Sequence, residues 1–337
     1  MSMIELASTA GDDVVLDAFR MVATEVYTAD PFWAPASEDV IDECLTRAES
    51  GEIGFQAVVA RHSDRAIARA MAITTPAAAQ GWIGLFECLP GSIDAGRAVL
   101  EHCVEWLKST GRTSVVAPRV DELRAGLLIE GFERPQTIFT AHNPRFYLDI
   151  FLEAGFAVRS RMVGFEFDRE RAPTFHRLPL GAITIRGPDQ VRLVHELERI
   201  EAFQDSVFGG GPGRVRRNRT ASRSLSKRLL PLLDLDLVIL AEDDAGEVVG
   251  VLICLPDHWQ PPPVDRARLV SVGVAPGWRG QRVAMAMGAE LVERLLAKGY
   301  QTLEGSWIRA DNTRPQVLAR ALGGTPGRVF ALLERDV

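Results

Sequence analysis

The sequence predicts a mixed α/β protein of two related domains, each a mixed, largely antiparallel sheet flanked by helices. Three observations predict it. Short apolar runs of strand length interleave with amphipathic helical stretches. A proline-bearing stretch from Phe167 to Asp189 divides the 337 residues almost in half. The halves also repeat one another, over a length that signals duplication of a whole domain.

The repeat shows in three pairs of segments. The first half contains "VEWLKSTGRT" from Val104 and the second "VERLLAKGYQT" from Val292. Each is a helical stretch stopped by a glycine seven residues after the Val. Later come "HNPRFYLDIFLEAGF" from His142 and "DNTRPQVLARALGG" from Asp311. Each has an Asn, an Arg two residues on, then a short helix ending at glycine. Each half closes on a strand, "VGFEFDRE" or "VFALLERD". The expected bounds are 1–172 for the first domain, 173–181 for a linker and 182–337 for the second.

The second half starts with strand Ile183–Arg186 and a helix from Asp189 to Val207. The break "GGGPG" precedes a basic helix, Val215 to Leu229, read as a solvated or ion-paired face. Strands "LDLVILAE" and "VVGVLICL" flank the acidic turn "DDAGE" as a hairpin. After the proline-rich loop "PDHWQPPPVDR" comes the strand "ARLVSVGVA". A Pro-Gly turn, a basic loop and a helix to Lys298 come next. In that helix Ala284, Met287, Leu291 and Leu295 share one stripe. Strand "QTLEGSWI", a short helix over 314–322 and a last strand complete the half.

Composition narrows the function. Hydrophobic residues make up 47% and charged residues 25%, enough for ordinary cores. A net charge of -7 argues against general nucleic-acid binding. Four cysteines without a CxxC, and six histidines without an HExxH, argue against a metal site or a disulfide framework. The start "MSMIELASTAGDD" reads as neither signal nor transit peptide, and no apolar run has the length of a membrane span. A soluble, cytoplasmic protein with no membrane partner is expected.

The stretch "VGVAPGWRGQRVAMAM", Val272 to Met287, carries the chemistry. Main-chain N–H groups at a helix start lack partners and carry partial positive charge. Arg279, Gly280, Gln281, Arg282, Val283 and Ala284 offer six in succession, with two Arg side chains beside them. Such a turn suits a diphosphate. A basic loop before an ordinary helix is the plain alternative.

With "SVGVAPGWRGQRVAMAM", the next strand, "DN" and a short helix, the chain resembles the GNAT N-acyltransferase superfamily, in its tandem two-domain type. The resemblance covers Ile183 to Val337, and the repeat extends it to the first half. It implies that the loop amides of Arg279–Ala284 hold the pyrophosphate of acetyl-CoA or another acyl-CoA. It implies that the strand splays at a bulge, so that Val272, Gly273 and Val274 bind the pantetheine arm and polarise the thioester, and that Asn312 contacts the arm. The acceptor implied is a small-molecule or peptide amine, and acetyl transfer is the first expectation. The chain departs from the family pattern in three places. Arg282 stands where the second loop glycine is usual, Ala319 where a Tyr general acid is usual, and the strand before the loop has no carboxylate. Asp257 and Glu304 are then the candidate proton acceptors. The alternative function is a CoA-binding sensor or scaffold without catalysis. The first half lacks the loop and puts Asp94 near its helix start, so it reads as a degenerate copy.

Overall fold

The computed structural model describes residues 4–76, 78–121, 123–174, 181–208 and 229–337. It is a mixed α/β protein with two compact units, Met1–Val163 with Arg328–Val337, and Gly164–Gly327. The expected basic helix, 215–229, lies outside the described residues but for its last position, as do residues 175–180 of the expected linker. No helix among the described residues is long and apolar enough to cross a membrane.

The first unit begins with β1 (Ile4–Thr9), α1 (Asp13–Val26), α2 (Val40–Glu49), β2 (Gly54–His62), β3 (Arg65–Thr74) and β4 (Gln80–Cys88). It continues with α3 (Ile93–Ser109), β5 (Ser114–Ala117), β6 (Leu127–Glu130), α4 (Tyr147–Glu153) and the start of β7 (Ala157–Asp168). Asp12 caps α1, its carboxylate accepting the N–H groups of Val14 and Val15 at 2.9 and 3.3 Å. β1 to β4 pair antiparallel in order, and β4 pairs β5 in parallel across the α3 crossover. The period of two is plain on β3. Ala68, Ala70 and Ala72 pack with Val99, Cys103 and Leu107 of α3, whereas Met71 and Ile73 pack with Phe19 of α1 and Ile41 of α2.

The second unit holds β8 (Ile183–Arg186), α5 (Leu193–Phe208), β9 (Val238–Asp243), β10 (Val248–Pro256) and β11 (Arg266–Val274). Then come α6 (Val283–Lys298), β12 (Thr302–Arg309), α7 (Thr313–Ala321) and β13 (Thr325–Asp336). Strand order is β12-β11-β10-β9-β8, antiparallel except for the β11–β12 pair, which α6 connects. Alternate residues again face opposite layers. Ile239, Leu252 and Cys254 meet Met287 and Leu291 of α6, and Leu240, Val251 and Ile253 meet Ile200 and Phe203 of α5.

The closing strands are exchanged. Gly164–Asp168 of β7 belongs to the second unit and Arg328–Asp336 of β13 to the first. There β13 pairs antiparallel with β5, from Leu333↔Ala117 to Asp336↔Ser114. A linear division at 173–181 leaves that strand with the second half.

A buried polar cluster ties the first unit together. Tyr27, just past α1, and Tyr147, opening α4, both donate to Glu87 Oε2 at 2.8 Å. The fully buried Arg69 lies 3.9 Å from the other carboxylate oxygen and pairs with Glu38 at 2.7 Å. Burial pushes the Glu87 carboxyl up to about 7, against the pull of Arg69. The folded state thus favours the protonated form. That contribution is complete below the ordinary carboxyl range and is lost as pH rises through about 7. In thermal melts, the stability of wild type relative to Glu87→Gln is expected to fall between about pH 5 and about pH 8. A pH-independent difference would refute the assignment.

Candidate functional site

The site begins with a bulge. Along the β10–β11 ladder Ile253 pairs with Ser271 and Cys254 with Leu269, so Val270 is the extra residue. At the same place β11 parts from β12. Their parallel pairs run from Arg266↔Thr302 to Leu269↔Gly305 and stop. A gap opens between Val270–Val274 and Ser306–Arg309.

Which main-chain groups face the gap is fixed by one bond. Ala275 N–H donates to Val249 O at 2.9 Å. Counting back by twos, Gly273 and Ser271 also turn their main chain to β10. Val272 and Val274 then turn theirs to the gap, and Val274 O accepts from Arg279 Nε at 3.2 Å. The Gly273 main chain is directed away from the gap, toward β10.

The loop after β11 makes one 3-10 turn at Pro276–Trp278. Arg279 N–H donates to Pro276 O at 3.3 Å and Gln281 N–H to Trp278 O at 3.4 Å, so these two amides are used inside the loop. Gln281 Nε2 also holds Gly277 O at 2.9 Å. The first helical bond is Ala286 N–H to Arg282 O at 3.0 Å. Among the described residues the amides of Gly280, Arg282, Val283, Ala284 and Met285 therefore have no main-chain partner. Met285 is an addition the sequence did not single out; its signal is its place as third residue of the helix. No acidic residue occupies the first turn of α6, so its N-terminal charge is uncompensated.

Two residues here take the left-handed conformation. Gly280 has φ +85 with open space where a Cβ would stand, so conformation rather than crowding requires glycine. Arg282, the N-cap of α6, has φ 62 and ψ 8. The position that usually carries the second loop glycine is thus left-handed, and Arg occupies it at a cost of about 1–2 kcal/mol. Its side chain is exposed and makes no hydrogen bond or ion pair with any described residue.

Asn312 caps α7 with φ -95 and ψ 92, and its side chain makes no capping bond. β11 and β12 are parallel, so the loop after one and Asn312 after the other lie at the same end of the sheet. The first unit's Asn143 differs. Its Oδ1 accepts Leu128 N–H at 2.7 Å and its Nδ2 donates to Leu128 O at 3.1 Å.

The two candidate carboxylates separate. Asp257 is fully buried, accepts from Arg266 Nε at 2.5 Å and from Trp259 N–H at 3.2 Å. It adjoins the start of β11, eight residues from Val274, or roughly 26 Å at the strand rise. The structure does not bring it to the loop. Glu304 is buried beside Arg268 in the ladder, one residue before the vertex at Gly305, so it lies at the foot of the gap. Ala319 is buried on α7.

Residues 215–323 match the model of the acetyltransferase (GNAT) family. A bacterial ceramide synthase of Caulobacter vibrioides is 24% identical over 68% of this chain and 69% of its own. Among solved structures, a GCN5-related N-acetyltransferase from Sphaerobacter thermophilus aligns with TM-score 0.63 at 17% identity, covering 98% of this chain and 95% of that one. A tandem GNAT protein from the clavulanic acid biosynthesis pathway aligns with TM-score 0.63 at 14% identity, covering 99% and 98%. At these identities the structural likeness is one of fold.

The left-handed Arg282 yields a stability test. Arg282→Gly relieves the strain and is expected to stabilise the protein by about 1 kcal/mol in denaturant titrations, whereas Arg282→Ala gives no such gain. Equal midpoints for the two variants would contradict the strain.

Proposed function

From the premise that the chain carries a GNAT acetyltransferase domain within a tandem GNAT fold, we propose that it transfers an acyl group from acyl-CoA to an amine. One observation carries this reading: five partnerless amides at the start of α6 adjoin the gap into which Val272 and Val274 turn their main chain. In it, Gly280 and Arg282–Met285 hold the pyrophosphate through N–H groups and the helix N-terminus. The Arg279 and Arg282 guanidiniums add charge-assisted bonds, and Gln281 braces the loop from within. Asn312 holds the pantetheine arm. The Val272 and Val274 amides polarise the thioester carbonyl, a stabilisation that grows as the oxygen gains charge.

The amine nitrogen attacks the carbonyl carbon, the C–N bond forms, the C–S bond breaks, and CoA leaves as thiolate. The nitrogen loses one proton. Glu304, at the foot of the gap, is the carboxylate proposed to accept it, and Asp257 is instead assigned to holding the β10–β11 turn. Proximity and main-chain polarisation carry the remaining acceleration.

A second reading, a CoA-binding sensor, is favoured by the buried Ala319 at the position where the family uses Tyr. Calorimetry with acetyl-CoA and a free-thiol assay over an amine panel separate the two. The name of the Caulobacter relative puts a lipid amine on that panel. Binding with thiol release is expected. Binding with no release from any amine selects the sensor, and no binding at millimolar ligand refutes both. Arg282→Ala and Asn312→Ala should each weaken binding by about 1–3 kcal/mol. Glu304→Gln should leave binding intact and slow release by about 10²–10⁴-fold.

A further inference from the structure

The hydroxyl protons around Glu87 are too few for the acceptors they face. Tyr27 has one O–H and two acceptors within reach, Glu87 Oε2 at 2.8 Å and His142 O at 2.9 Å. One proton serves one of them fully. Among the described residues His142 O has no other donor, and the residue is buried. Tyr147 accepts Cys88 N–H at 2.7 Å and donates its own proton to Glu87 Oε2 at 2.8 Å.

Two arrangements fit these distances. With Glu87 ionised, both tyrosine hydroxyls point at its carboxylate and His142 O loses its donor. With Glu87 protonated, its own O–H donates to the Tyr27 oxygen, and Tyr27 turns its proton to His142 O. One unbroken line then runs from Cys88 N–H through Tyr147, Glu87 and Tyr27 to His142 O. The charges favour this second state. Two carboxylates, Glu38 and Glu87, share one guanidinium, Arg69. Glu38 takes both of its terminal nitrogens, at 2.7 and 2.9 Å, whereas Glu87 stays 3.9 Å away. An ionised Glu87 is thus a buried charge with no close counter-charge. It remains 8% exposed, which leaves a route for proton exchange with water.

We propose that Glu87 is a proton-operated latch: protonated, it joins the end of α1 to the peptide before Asn143 through Tyr27, and ionised, it lets that peptide go. The inference is independent of the acyl-CoA reading. The latched peptide has a structural reach. Asn143 holds both the N–H and the carbonyl of Leu128 on β6, and Leu128 pairs with Phe330 of β13. The groups that face Glu87 are tuned away from neutrality. Burial pushes both tyrosine hydroxyls up, and the Cys88 thiol up to about 12. Against the pull of burial, Glu38 holds the Arg69 guanidinium above its ordinary range. Beyond Tyr27, burial holds the His142 imidazole below its ordinary value, against the Asp30 carboxylate it meets at 2.8 Å.

The test reads the disputed carbonyl directly. The full chain is isotopically labelled at histidine carbonyl carbons and asparagine nitrogens. His142–Asn143 is the one His-Asn pair in the sequence, so a carbon–nitrogen correlation spectrum shows a single peptide signal. Its carbonyl shift is expected to move to higher field between about pH 6 and about pH 8, with a midpoint of about 7. Glu87→Gln, whose amide donates to Tyr27 as the protonated acid does, should hold the low-pH shift throughout. Tyr27→Phe, which keeps the ring that stacks on Trp33 at 4.8 Å, should hold the high-pH shift throughout. If Tyr27→Phe fails to fold, wild type against Glu87→Gln still decides. A flat wild-type shift would overturn the latch, as would a titration that survives in either variant.

Discussion

The parting of β11 from β12 after Leu269 and Gly305 is the constraint on which the rest of the second unit depends. A parallel pair normally satisfies its main chain along its whole length. Here the bulge at Val270 changes the strand's direction midway. At the vertex a Cβ on Gly305 would lie 3.3 Å from the Phe167 ring, so a close-packed neighbour backs the point where the strands diverge. Past it, the main chain of Val272 and the N–H of Val274 face the gap, a costly arrangement unless water or a ligand meets them, while the Val274 carbonyl is met by Arg279. The loop, α6 and Asn312 are all arranged around this one unzipped end.

The duplicated first unit gives a comparison within a single chain. Its β4–β5 pairing also stops early, at Trp82↔Val116, and its β4 also has a register shift, with Leu85 at φ 52. But its opening is occupied by its own side chains. Cys88 N–H donates to the Tyr147 hydroxyl at 2.7 Å, and Tyr147 in turn donates to Glu87. The repeated Asn is likewise spent at Leu128 in the first unit, whereas Asn312 is exposed. One copy uses its polar groups to hold itself together, and the other leaves them turned outward.

Much of this was legible in the sequence because it is local. A Pro-Gly turn, an Arg-Gly-Gln-Arg loop and an amphipathic stripe place strand, loop and helix without reference to anything distant. The left-handed Arg282 was legible as a position but not as a conformation, since only the closed turn fixes its φ. Which loop amides stay free was not legible either, because Pro276 and Trp278 capture two of them through carbonyls. Asp257 and Glu304 looked alike as carboxylates near strands. Register separates them, placing one at the far end of β11 beside Arg266 and the other at the vertex. The Glu87 cluster joins residues some 60 positions apart, and no spacing announces it.

The exchange of closing strands bears on how the chain is made. A domain at the front of a polypeptide ordinarily finishes folding while the ribosome is still translating the downstream residues. Here β5 lacks its neighbour until Arg328–Asp336 has been synthesised, after the whole of Gly164–Gly327. At usual elongation rates that wait is roughly 10–40 s. Throughout it the nascent chain carries an unpaired sheet edge, the kind of surface that recruits other strands. Translation speed and chaperone access during that interval therefore enter directly into how much of the N-terminal unit reaches its native state.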